Sequence, residues 1–360
     1  MLIDETLVSQ IREQALHLEP ERAASSLALQ QILEHRWFKL FVPESLGGHL
    51  SSLPAALRIF EYASWVDGSF GWAVTIGAGG GFFVPFMQPH VAQQLFSEPN
   101  ALVAGSGAPT GTAVETDGGY IVNGSWKYCS GSYHATLFTA SCVLQGESIE
   151  SSDTEQPLIR AFAFTADQVE IIPDWQAFGL KGTDSHSIKI HNQFVPKERM
   201  FNLLEQLAYK DEPLYRYPFL PFAQASFAAV TLGISRHFLE QAASMTADKK
   251  NDIPSSRYDA VMNRITQAAE RLNASASTFY QIIDESWEVI EQVELPADME
   301  SRVSTTCQQA ARIALKCANE IFPYLGMAAV MEDSPINKIW RDLQTACHHS
   351  LLVNFEDEFE

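Results

Sequence analysis

The strand-forming segments of this 360-residue chain are gathered in one central block, and that segregation limits the fold more than any other feature of the sequence. From Ala101 to Pro196, short β-rich runs are punctuated by turn dipeptides. Asp117-Gly118-Gly119 precedes Tyr120-Ile121-Val122, and Asn123-Gly124 precedes Trp126-Lys127-Tyr128. Further runs cover Leu137 to Leu144, Arg160 to Phe164, Val169 to Ile172 and Ser187 to Ile190, with the polar segment Gly146 to Gln156 as a surface loop. The block reads as an antiparallel barrel or sandwich.

On either side the apolar residues recur at three and four, the helical spacing. Asp4 to Leu18, Ala23 to Trp37 and Leu53 to Trp65 read as helices, with Phe41-Val42-Pro43-Glu44-Ser45-Leu46-Gly47-Gly48 breaking the pattern. Beyond Pro196, Phe219 to Met245 forms a long, nearly uncharged helix suited to a core. The next helix, capped by Ser256-x-x-Asp259, carries the bundle seam Tyr258, Val261, Ile265, Ala268, Leu272, Ser275, Phe279 and Ile282. A third helix runs through Val303, Cys307, Ala310, Ala314, Cys317 and Ile321, and a fourth over Ile336 to Leu352. The expected fold is α+β: an N-terminal helical domain (1–100), a central β domain (101–198) and a C-terminal four-helix bundle (199–360).

Charge narrows the partners. Twenty-four basic against 44 acidic residues leave a net charge of −20, a field that repels nucleic acid and anionic lipid surfaces. The five cysteines are odd in number, widely spaced and free of any Cys-x-x-Cys pair, so the chain is expected to carry reduced thiols in a cytoplasm, without a disulfide framework or a metal site. The first residues carry acid where a secretory signal carries base. Ser69 to Pro89 has no charge and about the length of a bilayer span, yet its glycines and prolines favour a buried helix plus loop over membrane insertion.

The motifs for common hydrolytic chemistry are missing. There is no phosphate-loop lysine, no His-Glu-x-x-His and no Gly-x-Ser-x-Gly, and Gly77 to Gly81 follows a helix without a βαβ unit around it. The β domain offers more. Gly105-Ser106-Gly107-Ala108-Pro109-Thr110-Gly111-Thr112 and Trp126 to Ser132 read as loops dense in glycine and hydroxyl residues, which either end hairpins or hydrogen-bond a planar heteroaromatic ring and its phosphates. Trp175 and the loop Gly179 to Ser185 form a third edge for such a ligand, and His348 and His349 lie on the last helix near Arg341 and Asp342.

The order of domains resembles the acyl-CoA dehydrogenase superfamily over almost the whole chain. So do Phe41 to Gly48, the run Gly118-Gly119-Tyr120 to Gly124-x-Trp126-x-x-x-Ser130-Gly131, Val195-Pro196 and Trp340-Arg341-Asp342. Cys129-Ser130-Gly131-Ser132 with His134, Gly179 to Ser185, and Ser334-Pro335 to Asp342 with a histidine nine residues after Trp340 are most similar to the oxygenase components of two-component flavin monooxygenases, such as those acting on dibenzothiophene and 4-hydroxyphenylacetate. The dehydrogenase branch has Tyr-Glu-Gly-Thr where this chain reads Cys347-His348-His349-Ser350. Tyr217 to Ser235 is also free of acid, so both positions of the dehydrogenase base are empty.

The resemblance implies a reduced-flavin-dependent monooxygenase using FMN or FAD, supplied by a separate reductase and acting on a small organic molecule. It implies His349 as catalytic group and Ser106, Thr110, Ser130, Gly131 and Trp175 as cofactor contacts. Lys249 or Lys250 stands near the place where relatives take a phosphate contact from a neighbouring subunit, and a homotetramer is implied. An acyl-CoA dehydrogenase with another base, and a non-catalytic flavoprotein or scaffold, are the rival readings.

Overall fold

The computed structural model describes residues 3–146 and 157–353, so residues 147–156 of the expected surface loop lie outside the described residues. The chain opens with α1 (Glu5–Leu18), α2 (Ser26–Glu34), α3 (Leu53–Val66), α4 (Gly68–Gly79) and α5 (Pro89–Phe96). Asp4, Ser25, Ser52 and Asp67 cap the first four by accepting backbone N–H groups that have no partner within the helix. The second helix is shorter than expected: Arg36 enters the left-handed region at φ 50° and starts a separate 3-10 turn at Trp37. The uncharged stretch after Ser69 folds as α4 followed by a 3-10 segment, Gly80–Phe86, and lies inside the protein.

Seven strands follow: β1 (Val103–Thr116), β2 (Gly119–Cys129), β3 (Leu137–Gln145), β4 (Ile159–Thr165), β5 (Glu170–Ile172), β6 (His186–Pro196) and β7 (Met200–Phe201). They form one sheet in the order β5-β6-β2-β1-β3-β4-β7. The sheet is mixed, which corrects the purely antiparallel expectation. After β2 the chain passes beneath the start of β1 and rises on its other side, so β3 runs parallel to β1, Val103 opposite Leu137. A second correction concerns Gly105 to Thr112, which belongs to β1. Its register against β3 shifts between Ser106 and Gly111, around Pro109, which has no N–H to give the ladder.

The C-terminal region contains a short α6 (Pro213–Arg216) and then α7 (Phe219–Asp248), α8 (Ser255–Gln292), α9 (Ala297–Ile321) and α10 (Pro335–Cys347). The Ser256 cap does not form. The helix starts at Ser255 with Pro254 before it, and the Pro254 carbonyl accepts the N–H groups of Arg257 and Tyr258. Nearly all of α7 is buried among α3, α8, α9 and α10, so its apolar character is satisfied within one chain and is no argument for a partner. One core joins the N-terminal helices to this bundle, and a second, around Trp126, Phe138, Phe162, Phe164 and Ile188, fills the β domain.

Candidate active site

The segment that crosses beneath β1 builds the site. Thr136 anchors it by accepting the Leu102 N–H at 3.1 Å. At its other end Tyr128 and Gly131 take left-handed backbone conformations, φ 65° and 78°, and turn the chain sharply around Ser130. A tyrosine in that region is uncommon and marks a backbone held by its surroundings. Those surroundings are the loop before β6: the Gly131 N–H donates to the Thr183 carbonyl at 2.8 Å, and the Ser132 hydroxyl donates to the Asp184 carbonyl at 2.7 Å.

Between the two turns runs a chain of buried hydrogen bonds. Trp72 Nε1 donates to Ser130 Oγ at 2.9 Å, Ser130 Oγ lies 2.7 Å from Ser185 Oγ, and Ser185 Oγ lies 2.7 Å from Thr183 Oγ1. Thr183 Oγ1 then donates to the Leu180 carbonyl at 2.8 Å, which also accepts Trp175 Nε1 at 3.0 Å.

Trp72, on α4, connects this polar chain to the C-terminal histidine. Its ring stacks on Phe227 of α7 with centroids 5.1 Å apart, and the His349 ring lies 4.0 Å from Phe227 and 6.0 Å from Trp72. His349 is not on a helix as expected. The last helix ends at Cys347, and His349 has extended backbone, φ −62° and ψ 129°, at the start of a short 3-10 turn. Helical spacing therefore does not decide between the two histidines; the chain reversal does. His348 is exposed and bonded to the Gln344 carbonyl at 2.6 Å. Burial lowers the His349 pKa to about 4, leaving a neutral imidazole at pH 7. Its Nδ1 accepts the Leu351 N–H at 3.4 Å, which places the ring proton on Nε2. Nearby, Gln224 Nε2 donates to the Leu351 carbonyl at 3.0 Å while its buried Oε1 has no hydrogen-bond partner.

A buried charge cluster fixes these elements to one another. Lys338 Nζ, on α10, lies 2.5 Å from Asp67 Oδ2 at the start of α4 and 2.7 Å from Asp342 Oδ2. Asp342 Oδ1 accepts the Leu180 N–H at 2.5 Å, so the same carboxylate holds the loop that carries Thr183 and Ser185. The two carboxylates outweigh desolvation and keep Lys338 charged, its pKa raised. Arg341 binds both oxygens of buried Glu19 at 2.5 and 2.8 Å and the Phe178 carbonyl at 2.6 Å. The fit is close: a Cβ on Gly179 would sit 2.0 Å from the Arg341 carbonyl oxygen.

The structure thus joins Ser130 and His349 through Trp72, with Gly131 in the Ser130 turn and Trp175 at the far end of the hydroxyl chain, on the Leu180 carbonyl. Trp175 is half-buried, edge-on to Tyr128 at 6.2 Å, and with Tyr128 (69% exposed) and Tyr133 (54% exposed) it presents open aromatic surface beside Ser130. Ser106 and Thr110 lie further along β1. The Ser106 hydroxyl accepts the Ala108 N–H at 3.3 Å, and Thr110 donates to the Ser125 carbonyl at 2.7 Å. Lys249 and Lys250 are not in this cluster. They sit at the far end of α7, about 33 Å along the helix from Phe227 at ~1.5 Å per residue. There Lys249 Nζ donates to the Leu325 carbonyl at 3.1 Å, and Lys250 lies over Tyr258.

An apolar cavity opens beside the Ser130 turn, walled by Ala28, Ile32, Phe38, Phe70, Ile76 and Leu102. At its polar end Asp184 lies 3.4 Å from His134. Sequence reading missed Trp72, Asp67 and Lys338. The i, i+4 pair Lys338 and Asp342 on an otherwise buried helix was the available signal for the last. A planar ring with polar edges fits what is present: open aromatic surface, a glycine turn, an aligned hydroxyl and the unpartnered Gln224 oxygen.

Comparison with known proteins agrees. Residues 225–354 match the family model described as acyl-CoA dehydrogenase, C-terminal domain. Indole-3-acetate monooxygenase of Pseudomonas putida is 26% identical over 97% of this chain and 89% of its own length. The flavin-dependent monooxygenase oxygenase subunit HsaA of Mycobacterium tuberculosis is 22% identical over 96% of this chain and 90% of its own. A crystal structure of that enzyme superposes with a TM-score of 0.86, covering 96% of this chain and 93% of that one at 22% identity. FMN-bound TdsC from Paenibacillus sp. A11-2 superposes at 0.79, covering 96% and 92% at 18% identity. The chain has the acyl-CoA dehydrogenase fold, and it resembles flavin-dependent monooxygenases over nearly all its length.

Proposed function

We propose that this chain is the oxygenase component of a two-component flavin monooxygenase. It takes reduced FMN or FAD from a separate reductase and transfers one atom of O₂ to a small aromatic substrate, the second atom leaving as water with the two electrons of the flavin. The similar proteins named as monooxygenases and oxygenase subunits support the reaction class, and the FMN bound in TdsC supports the cofactor.

One observation in the chain carries the choice over dehydrogenation. Where the dehydrogenase branch reads Tyr-Glu-Gly-Thr this chain has two histidines and no carboxylate, and the one that turns inward is His349, packed among Phe227 and Trp72 and neutral because it is buried. With a pKa near 4 it is a poor base for a carbon-bound proton, whereas its Nε2–H donates well in a site that excludes water. The bound reduced flavin supplies the electrons and the place where O₂ is activated. The protein supplies the rest: Trp175, Tyr128 and the Ser130 turn hold the ring, the aromatic packing around His349 excludes water, and the apolar cavity admits the substrate.

The five thiols are free and buried, in keeping with a cytoplasmic enzyme. A homotetramer completes the proposal. The exposed side chains Tyr324, Met327, Val330 and Met331 lie next to Leu325, which Lys249 contacts, and offer apolar surface for a second copy near the lysines.

The test is anaerobic loading with reduced FMN, then mixing with ¹⁸O₂ and indole or a phenol. One ¹⁸O per product supports the proposal. Bleaching of the oxidised flavin by an acyl-CoA, with no oxygenated product, supports dehydrogenation, and failure to take up either flavin form supports a scaffold.

A further inference from the structure

The hydrogen bonds around Ser130 have a direction. The Leu180 carbonyl can only accept, so its 2.8 Å contact with Thr183 Oγ1 uses the single Thr183 proton. Thr183 must then accept from Ser185 at 2.7 Å, and Ser185, its proton spent, must accept from Ser130 at 2.7 Å. At the opposite end the Trp72 indole can only donate, and it gives its proton to Ser130 Oγ at 2.9 Å. The Ser130 proton is therefore committed to Ser185 and one lone pair to Trp72. What remains is a second lone pair, on a residue that lines the cavity and makes no other side-chain hydrogen bond among the described residues.

We infer that Trp72, Thr183 and Ser185 are positioning residues that hold the Ser130 hydroxyl as a pure acceptor, so that this turn selects reduced over oxidised flavin. The inference rests on the proposed flavin site. A reduced flavin ring carries N–H donors where the oxidised ring presents bare nitrogen acceptors. An oxygen offering only a lone pair bonds the first and repels the second. Neither end of the chain of hydroxyls is free to turn round: Thr183 and Ser185 are buried, and Trp72 is held by its stack on Phe227. The consequence is directional. An oxygenase fed by a separate reductase captures the reduced cofactor and releases the oxidised one, and here that preference is set by a proton two residues away from any ligand.

The experiment is equilibrium binding of FMN to the full chain under anaerobic conditions, in oxidised and dithionite-reduced forms. It compares wild type with Ser185→Ala and Trp72→Phe. Both variants remove one hydrogen bond from Ser130, but only Ser185→Ala frees its proton to donate. In Ser185→Ala the reduced-to-oxidised affinity ratio should fall about three- to tenfold, the worth of one hydrogen bond, mainly through tighter oxidised FMN. In Trp72→Phe the ratio should stay within about twofold, whatever happens to overall affinity. A merely structural role would move both variants alike.

Thr183→Val is the second route to the same release, since Ser185 can then donate to Ser130, and it serves if Ser185→Ala does not fold. An unchanged ratio in both Ser185→Ala and Thr183→Val, or an equal fall in Trp72→Phe, overturns the inference while leaving the flavin site standing. If wild type binds neither form, the flavin reading itself fails, and the inference with it.

Discussion

Replacing Lys338 by methionine should unfold this protein at a markedly lower temperature, and the loss should shrink in mild acid. Among the described residues, the lysine is the only cation bonded to both of two carboxylates that are themselves 8% and 1% exposed, Asp67 and Asp342. Methionine fills much of the same volume, so packing changes little, but two buried carboxylates lose their common partner. Breaking a buried ion cluster from one side costs about 3 to 5 kcal/mol. At ~2 to 4 °C per kcal/mol, that is a fall in melting temperature of roughly 6 to 20 °C.

The sign with pH follows from linkage. In the variant the folded state raises the carboxylate pKa values, so its deficit is largest at neutral pH and shrinks as the pair takes up a proton. Burial lowers His237 to about 3 and His349 to about 4, so below pH 6.5 their resisted charging weakens both proteins alike and cancels in the difference, leaving the carboxylates to set its sign. Differential scanning fluorimetry of both proteins from pH 7.5 to 5.5 should therefore show the gap closing. Adding Asp342→Asn to Lys338→Met should recover part of the loss at pH 7.5, since it removes one of the two unpaired charges. A gap below 3 °C that does not vary with pH would refute the argument and mean that water or local relaxation already solvates the pair.

His349→Ala should leave flavin affinity within a few-fold while raising the ratio of hydrogen peroxide released to product formed. His348→Ala, at an exposed position, should do little to either. Trp175→Ala should weaken flavin binding by roughly 1 to 3 kcal/mol, read by equilibrium dialysis, through loss of aromatic surface and of the donor to the Leu180 carbonyl. Ser130→Ala should also lower the melting temperature of the apoprotein, because it leaves the buried Trp72 N–H without an acceptor at a cost of about 1 to 3 kcal/mol. His237→Leu should flatten the acid limb of the stability curve between pH 6.5 and 4 by up to ~1.4 kcal/mol per pH unit, measured by urea midpoints.

What the sequence disclosed and what it hid divide along a physical line. Elements that bury one face alone are legible, because a repeating pattern records them: Val261, Ile265, Ala268 and Leu272 announce the seam of α8 wherever its partner lies. Ser130, Gly131 and Trp175 could be nominated because glycine and hydroxyl clusters, or a lone tryptophan before a turn, are local signals. The crossing beneath β1 left no such trace, since nothing in Ser130 to Thr136 says which side of β1 the next strand takes. For the same reason Ser106 to Thr110 looked like a loop: a bulge that breaks one ladder while the strand continues has the composition of a turn. His349 was chosen by its distance from Trp340 on an assumed helix, yet it reaches the aromatic cluster because the helix stops two residues earlier and the backbone extends. The bonds from Trp72 to Ser130 and from Lys338 to Asp67 span 58 and 271 residues of chain, where single-sequence periodicity carries no information. They are also what makes the local signals functional. The Ser130 turn and the Thr183 loop bond to each other through Gly131 and Ser132, and Trp72 and the Asp342 bond to Leu180 tie that pair to the helices, so that one oxygen is presented in one orientation to whatever ring the aromatic surface holds.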